Sequence, residues 1–381
     1  MQRVASHFME ALAARAIKTW PGLYRALTCT QLPPQMCSHE QDATHLFFDL
    51  CPYLKFAFTI ANQSILEAME HERVVHIIDL GGTSEAIQWL SLLQMLATRI
   101  GGPPHLRITI VNPRKEALDQ VGQKLCDEAE SLDIPFQFNP VLLPQLQDLE
   151  AEMLKVKTGE AVAISSVLQL HYLLSVEEEP HPAADLNGTN PNPNPNPNPN
   201  PNPNPNPSIN PNPNPNPMYS GYNAATRGEK VLYMLRSLAP KVMVVMEQES
   251  KHNGADFMER FVTALHYYAA MFDSLEGSLS AKQSRERMVM EKHVLGRQIH
   301  NIVACEGAAR VERHESIHQW ERRLRHAGLA NVPFPYAAKL HANRLLLSYA
   351  SYRLAQPPGF FSLSLCWHDT PLFTLSAWQP V

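Results

Sequence analysis

Three short constellations hold side chains whose types and spacing could do chemistry. The first is His314-Glu315-Ser316-Ile317-His318, a formal H-E-x-x-H. On a helix it would set His314 and His318 on one face as zinc ligands, with Glu315 as general base. Its surroundings, RVERHESIHQWERRLRHAG, read instead as a charged amphipathic helix with few apolar members, Val311, Ile317, Trp320 and Leu324. A zinc helix lies buried in a cleft, so His314 and His318 stand as metal candidates that their context disfavours.

The second constellation is VVHIIDLGGTSEAIQWL, residues 74–90. A strand, an acidic residue at its end and glycines in D-x-G-x-G-x-G spacing let backbone N–H groups at a helix start face a sulfonium nucleotide or dinucleotide. Here that spacing gives Asp79, Gly81, Thr83 and Glu85, so only the first glycine position is filled. Glu85 places a carboxylate in the first helical turn, where it complements the helix dipole and repels an anionic ligand. Asp79 and Gly81 remain the cofactor candidates, against the favoured alternative of a tight turn capped by Thr83 or Ser84. The next strand ends in Val111-Asn112-Pro113 without a carboxylate for a ribose, and His76 sits mid-strand as a core histidine.

The third is Cys366-Trp367-His368-Asp369, on a strand whose successive side chains face opposite ways, which makes a shared metal pocket improbable. LQLHYLL at 168–174 adds an L-x-x-L-L pattern, Leu170, Leu173 and Leu174. A short helix can offer such leucines to a partner's groove, although continuation from a buried strand favours core packing. No G-x-S-x-G elbow or Walker loop is present.

The elements that must position these groups follow from hydrophobic period. Val4, Phe8, Leu12 and Ala16 form one apolar stripe of a helix over about 3–20, and a second helical stretch spans about 41–70, interrupted near Cys51-Pro52. From Val74 the rhythm becomes strand and helix in alternation: strands at 74–80, 107–111, 134–141, 161–167 and 241–248, helices at about 84–100, 114–132 and 226–238. The strands are continuously apolar, which predicts a parallel sheet covered on both faces. Residues 249–347 read as mostly helical, and 361–369 with 372–379 form a tight, therefore antiparallel, hairpin. The fold class expected is α/β, a doubly wound Rossmann-like sheet of methyltransferase type with a C-terminal antiparallel hairpin and an α-helical cap.

Between the fourth and fifth strands, 190–217 is an Asn-Pro repeat, in which proline at alternate positions blocks both helix and ladder. It reads as a disordered insertion over 177–225, with a proline-ligand role as the lesser alternative. The 381 residues carry 32 Lys+Arg against 37 Asp+Glu, net charge -5, so no global charge footprint for gripping nucleic acid exists. Six scattered cysteines form no CxxC pair, which favours a reducing compartment, and no apolar run approaches a bilayer span.

Several stretches in order resemble the GRAS family of plant regulatory proteins: VHIID (75–79), PPHLRIT (103–109), KVMVVMEQES (241–250), MERFVTALHYYAAMFDSLE (258–276), NIVACEGAARVERHE (301–315), the segment 320–328 and the terminal SAW (376–378). WPGLYRAL, IPFQFNPV and VKTGEAVAISSVLQLH are similar to its scarecrow-like branch. The resemblance implies a nuclear regulator without catalytic activity or cofactor, built on a Rossmann-like core with a helical cap and acting in gibberellin response. It implies DELLA-type GRAS proteins and INDETERMINATE DOMAIN zinc-finger transcription factors as partners, homo- or heterodimers, and indirect contact with DNA. The motif and interaction residues it points to are Val75, His76, Ile77, Ile78 and Asp79 of VHIID, Leu170, Leu173 and Leu174, and Ser376, Ala377 and Trp378. The helix after VHIID, with Ile87, Leu90 and Leu93, is expected to meet partners as well. The implied organisation is one GRAS domain with a first leucine-rich region in cap segment 1–70 that family members extend upstream, a core at 71–176 and 226–250, PFYRE-type and cap helices at 251–348, and a SAW region at 349–381.

Overall fold

In the computed structural model the described residues are 2–20, 22, 46–47, 50–81, 86–175, 225–278 and 284–381. The Asn-Pro repeat, the Thr83 or Ser84 cap and Glu85 lie outside them. All described residues except Ala225 fall in one folding unit.

The apolar runs become the parallel strands β1 (Val74–Asp79), β2 (His105–Asn112), β3 (Phe136–Leu142), β4 (Ala161–Val167) and β5 (Val242–Gln248). Later come β6 (Leu329–Val332), β7 (Tyr352–Ala355), β8 (Leu363–Trp367) and the long β9 (Thr370–Pro380). The sheet order is β3-β2-β1-β4-β5-β9-β8-β7, with β6 also on β9. β1 pairs in parallel with both β2 and β4, Ile77 lying opposite Ile108 and Ala163, while β9 runs antiparallel to β5 with Val245 opposite Ser376. The five parallel strands and the antiparallel hairpin are those expected from the sequence, and the structure adds that β9 is inserted between β5 and β8.

Because consecutive strand residues face opposite sides, one sheet feeds two cores. Ile77, Ile108, Ala163 and Val244 join one cluster, and Ile78, Val111, Ile164 and Val245 join the other. The first cluster is covered by α1 (Gln2–Ile17), α2 (Pro52–Ala68), α3 (Ile87–Ala97), α4 (Lys115–Ser131), α6 (Phe257–Ser278) and α8 (Gly296–Ala304), with α7 (Ser284–Met290) leading through a π turn into α8. The second is covered by α5 (Arg227–Ser237) and α9 (Ile317–His326), whereas α10 (Tyr336–Leu346) packs on the first with Ala338 and Ala342. Each fully buried Leu or Ile contributes about 1.5–3 kcal/mol, and α5 starts on a complete capping box between Thr226 and Glu229.

The helical reading of 249–347 needs correction in two places. β6 occupies Leu329–Val332, launched by Gly328 at φ 85°, a left-handed turn that ends α9. Four residues are too few for strand alternation to show in sequence. Residues 310–316 are not helical at all: they form a buried extended segment, and α9 begins only at Ile317. β7, at the far edge of the sheet, also escapes the sequence reading.

Candidate functional site

The carboxyl ends of β1, β4 and β5 carry two buried polar assemblies. In the first, Asp79 closes β1. Its Oδ1 accepts the Gly81 N–H at 3.1 Å and its Oδ2 accepts the Trp89 indole N–H at 2.8 Å, from the first turn of α3. Burial pushes the Asp79 carboxyl up to about 6 despite those two donors. The face of Gly81 is covered by the side chain of Gln169, whose Cδ would lie 2.1 Å from an added Cβ. Gln88 is also buried, with its amide 3.3 Å from Ser165 Oγ and its carbonyl accepting from Asn62 Nδ2 at 2.8 Å. At the end of β2, Asn112 Oδ1 accepts the Arg114 N–H at 2.9 Å and serves the following turn. The two groups that would hold a nucleoside, the β1 acid and the β2 end residue, thus already serve the protein's own donors.

The second assembly joins β5, the 3-10 turn Leu170–Leu174 and the extended segment 310–316. Glu247, at 3% exposure, accepts the Leu170 N–H at 2.7 Å and approaches His171 Nδ1 at 2.8 Å. His171 Nε2 points to Glu312 Oε2 at 3.5 Å, and the same oxygen lies 3.0 Å from His314 Nε2. His314 Nδ1 meets His252 Nδ1 at 2.9 Å, and His252 Nε2 meets Ser250 Oγ at 2.6 Å. Asn301 Oδ1 accepts the N–H groups of both Val311 and Glu312 at 2.9 Å, which gives two backbone donors of the extended segment a partner. Burial disfavours charge on His171, but Glu247 and Glu312 outweigh it and raise its pKa to about 10. Burial likewise opposes ionisation of Glu312, yet His171 and His314 hold its pKa well below the carboxylate range. Desolvation lowers His252 and His314.

Each residue singled out in the sequence has a definite place. His314 is fully buried, but His318 is exposed on α9 with its ring edge-on to Phe360 at 4.7 Å. The H-E-x-x-H pair therefore shares no helix face, because the helix starts after Ser316, whose N–H donates to Gln319 Oε1 at 3.1 Å. Ser-x-x-Gln was the readable signal for that start. Glu315 is no free base: Arg323 grips it from Nε at 2.6 Å and Nη2 at 2.8 Å. Val75, Ile77 and Ile78 are core residues, and His76 is satisfied by Glu160 at 3.0 Å and Thr109 at 2.7 Å.

Leu170 and Leu173 are buried in the second cluster, with half-buried Leu174 packed against it, so the L-x-x-L-L run faces inward on a 3-10 turn. Ser376, Ala377 and Trp378 are buried mid-sheet on β9, the Trp378 indole donating to Ser376 Oγ at 2.8 Å. On α3, Leu93 is wholly buried and Leu90 packs against the core, which corrects the expectation that this face meets partners. Apolar side chains that do reach the surface include Met9 and Leu12 on α1, Met258 and Val262 on α6, and Tyr336 and Leu340 on α10. The sequence reading missed the Glu247, His252 and Glu312 assembly, because its members lie on three segments that only the fold brings together.

Among the described residues no helix is long and apolar enough to cross a membrane. The GRAS domain family model matches residues 1–379. Scarecrow-like protein 3 of Arabidopsis thaliana is 43% identical over 394 residues, covering 100% of this chain and 81% of that protein. GRAS family protein TF80 of Medicago truncatula is 41% identical, covering 100% and 86%. DELLA protein GAI1 of Vitis vinifera is 35% identical over 100% of this chain but only 55% of its own length. The crystal structure of SCL7 from Oryza sativa superposes with a TM-score of 0.75 at 31% identity, covering 99% of this chain and 89% of that one. With a family match along nearly its whole length, relatives above 40% identity and a shared fold, this chain belongs to the GRAS family.

Proposed function

We propose that this protein is a non-enzymatic transcriptional co-regulator of gibberellin signalling and growth, acting in the nucleus through protein contacts. Identity of 43% across the whole chain with a scarecrow-like GRAS protein carries this reading. The filled turn at Asp79 supports it, since Trp89 and Gly81 take both carboxylate oxygens. The same observation weighs against the alternative, an S-adenosylmethionine-dependent methyltransferase or a small-molecule sensor at Asp79 and Gly81. A zinc hydrolase using His314 and His318 is the remoter alternative, and the separation of the two histidines weighs against it.

The partners of this reading are DELLA-type GRAS proteins and INDETERMINATE DOMAIN zinc-finger factors, the latter providing the link to DNA. The contact surface is assigned to the exposed apolar residues of the cap helices, Met9 and Leu12 on α1 and Met258 and Val262 on α6, rather than to α3. Co-immunoprecipitation of the full chain from plant nuclei tests it. Recovery of a DELLA protein or an INDETERMINATE DOMAIN factor, reduced in Met258→Glu/Val262→Glu, is the expected result. A folded protein that recovers neither overturns it.

A further inference from the structure

We infer that His171, Glu312 and His314 form a binding site for a divalent transition-metal ion, zinc in the first place, held in the interior of the fold. Among the described residues, this is the group of His, Cys, Asp and Glu side chains whose ligand atoms converge, His171, Glu312 and His314 lying within 4.8 Å of one another. The proposal is independent of the partner reading above, and it shares only His314 with the H-E-x-x-H pattern.

Three observations carry it. His171 Nε2, Glu312 Oε2 and His314 Nε2 are all buried and have no properly directed hydrogen-bond partner, although they face one another. The oxygen stands 3.5 Å from one nitrogen and 3.0 Å from the other. A tetrahedral ion with bonds of about 2.0–2.1 Å needs ligand atoms roughly 3.3 Å apart, close to these two separations, and the third, between the two nitrogens, is within 4.8 Å. Two imidazoles and one carboxylate, with a fourth position left to water, make a donor set that zinc takes readily.

The second observation is the state of the outer ring nitrogens. His171 Nδ1 is 2.8 Å from Glu247 Oε2, a carboxylate that can only accept, so that nitrogen carries the proton and Nε2 keeps its lone pair when the ring is neutral. Glu247 is itself fixed by the Leu170 N–H. This is the carboxylate-histidine arrangement that orients ligating imidazoles in metal proteins. On the other side His314 Nδ1 can donate to His252 Nδ1, and His252 Nε2 to Ser250 Oγ, a relay that also leaves His314 Nε2 as a lone pair. With both rings neutral in these tautomers, three lone-pair atoms are aimed at one point, a place for a cation, whether a metal ion or the proton that His171 otherwise carries.

The third is connectivity. The three ligands come from the 3-10 turn after β4 and from the extended segment before α9, far apart in sequence. An ion here ties the cap segment 310–316 to the carboxyl end of the parallel sheet, as structural zinc does elsewhere. The competing cation is a proton shared among the same groups, and metal analysis separates the two.

The test uses the full chain, expressed without a histidine tag in zinc-supplemented medium and dialysed against a weak chelator. Elemental analysis is expected to find about one zinc per chain. Cobalt substituted for it is expected to give the visible absorption of a four-coordinate ion. Glu312→Gln and His171→Gln are expected to weaken zinc binding by at least about tenfold, while His318→Gln leaves it unchanged. If a variant fails to fold, the cobalt spectrum of the wild-type chain decides. A folded wild-type protein with background zinc and no saturable cobalt or zinc titration overturns the proposal. So does binding that survives both ligand substitutions unchanged, which marks an adventitious surface site.

Discussion

The Trp89 indole donates to Asp79 Oδ2 across 2.8 Å, so the acid that ends β1 is held by the helix that follows it. In a nucleotide-binding sheet the corresponding acid faces the ligand. Here it stitches the strand to α3. Trp89→Phe keeps most of the ring packing but leaves a buried carboxylate with one donor, at an expected cost of about 2–4 kcal/mol. Urea unfolding measures it. In the Asp79→Asn background the same change should cost at least about 1 kcal/mol less. Additive costs would show that the two side chains act separately.

The same carboxylate gives a pH signature. Its folded pKa is raised from 3.8 to about 6 by burial, so the folded state binds the proton more tightly than the unfolded chain. That contribution is fully present below about pH 4 and is lost as pH rises through about 6, amounting to about 3 kcal/mol. Asp79→Asn removes it. Stability of Asp79→Asn relative to wild type should therefore climb by up to about 3 kcal/mol between pH 4 and 7, as read from denaturant midpoints. Parallel curves would mean that the carboxyl is not desolvated as described.

How much of this was legible in the sequence depends on the kind of signal. β1 to β5 and their helices announce themselves by long apolar runs, and Thr226-x-x-Glu229 marks a helix start by its own chemistry. The departure from D-x-G-x-G-x-G spacing at VVHIIDLGG was readable from the missing later glycines, but the donor that meets Asp79, Trp89, was not. The His171, Glu247 and Glu312 assembly is invisible for a stronger reason. Its residues are spread over more than a hundred positions, and RVERHES carries no period of either kind. In that segment Asn253 and Arg323 meet the Glu315 carboxylate and Asn301 takes the backbone N–H groups of Val311 and Glu312, facts of tertiary structure alone.

Close approach of backbone to backbone makes a third prediction. A Cβ on Gly228, in the first turn of α5, would sit 2.2 Å from the Leu173 carbonyl oxygen. The turn bearing His171 and Leu173 must then move, at an expected cost of about 1–3 kcal/mol. For a Cβ on Gly81 the three nearest atoms all belong to the flexible side chain of Gln169. Gln169→Ala should therefore rescue Gly81→Ala and leave Gly228→Ala unrelieved, as thermal unfolding of the four variants will show.

Calorimetry with S-adenosylmethionine addresses the cofactor turn itself. With both Asp79 oxygens engaged and Gln169 over Gly81, no saturable heat is expected in the micromolar range. A saturable signal abolished by Asp79→Ala would revive the small-molecule reading.

The central claim is that the protein works by binding partner proteins through its helical cap. Titration of the purified full chain with a DELLA GRAS domain and, separately, with an INDETERMINATE DOMAIN zinc-finger protein tests it most directly. The account predicts saturable binding to at least one of them, weakened at least about tenfold by Met258→Glu/Val262→Glu and unaffected by Leu93→Met. Failure of the folded wild-type chain to bind either, or full binding by the doubly substituted chain, would contradict it.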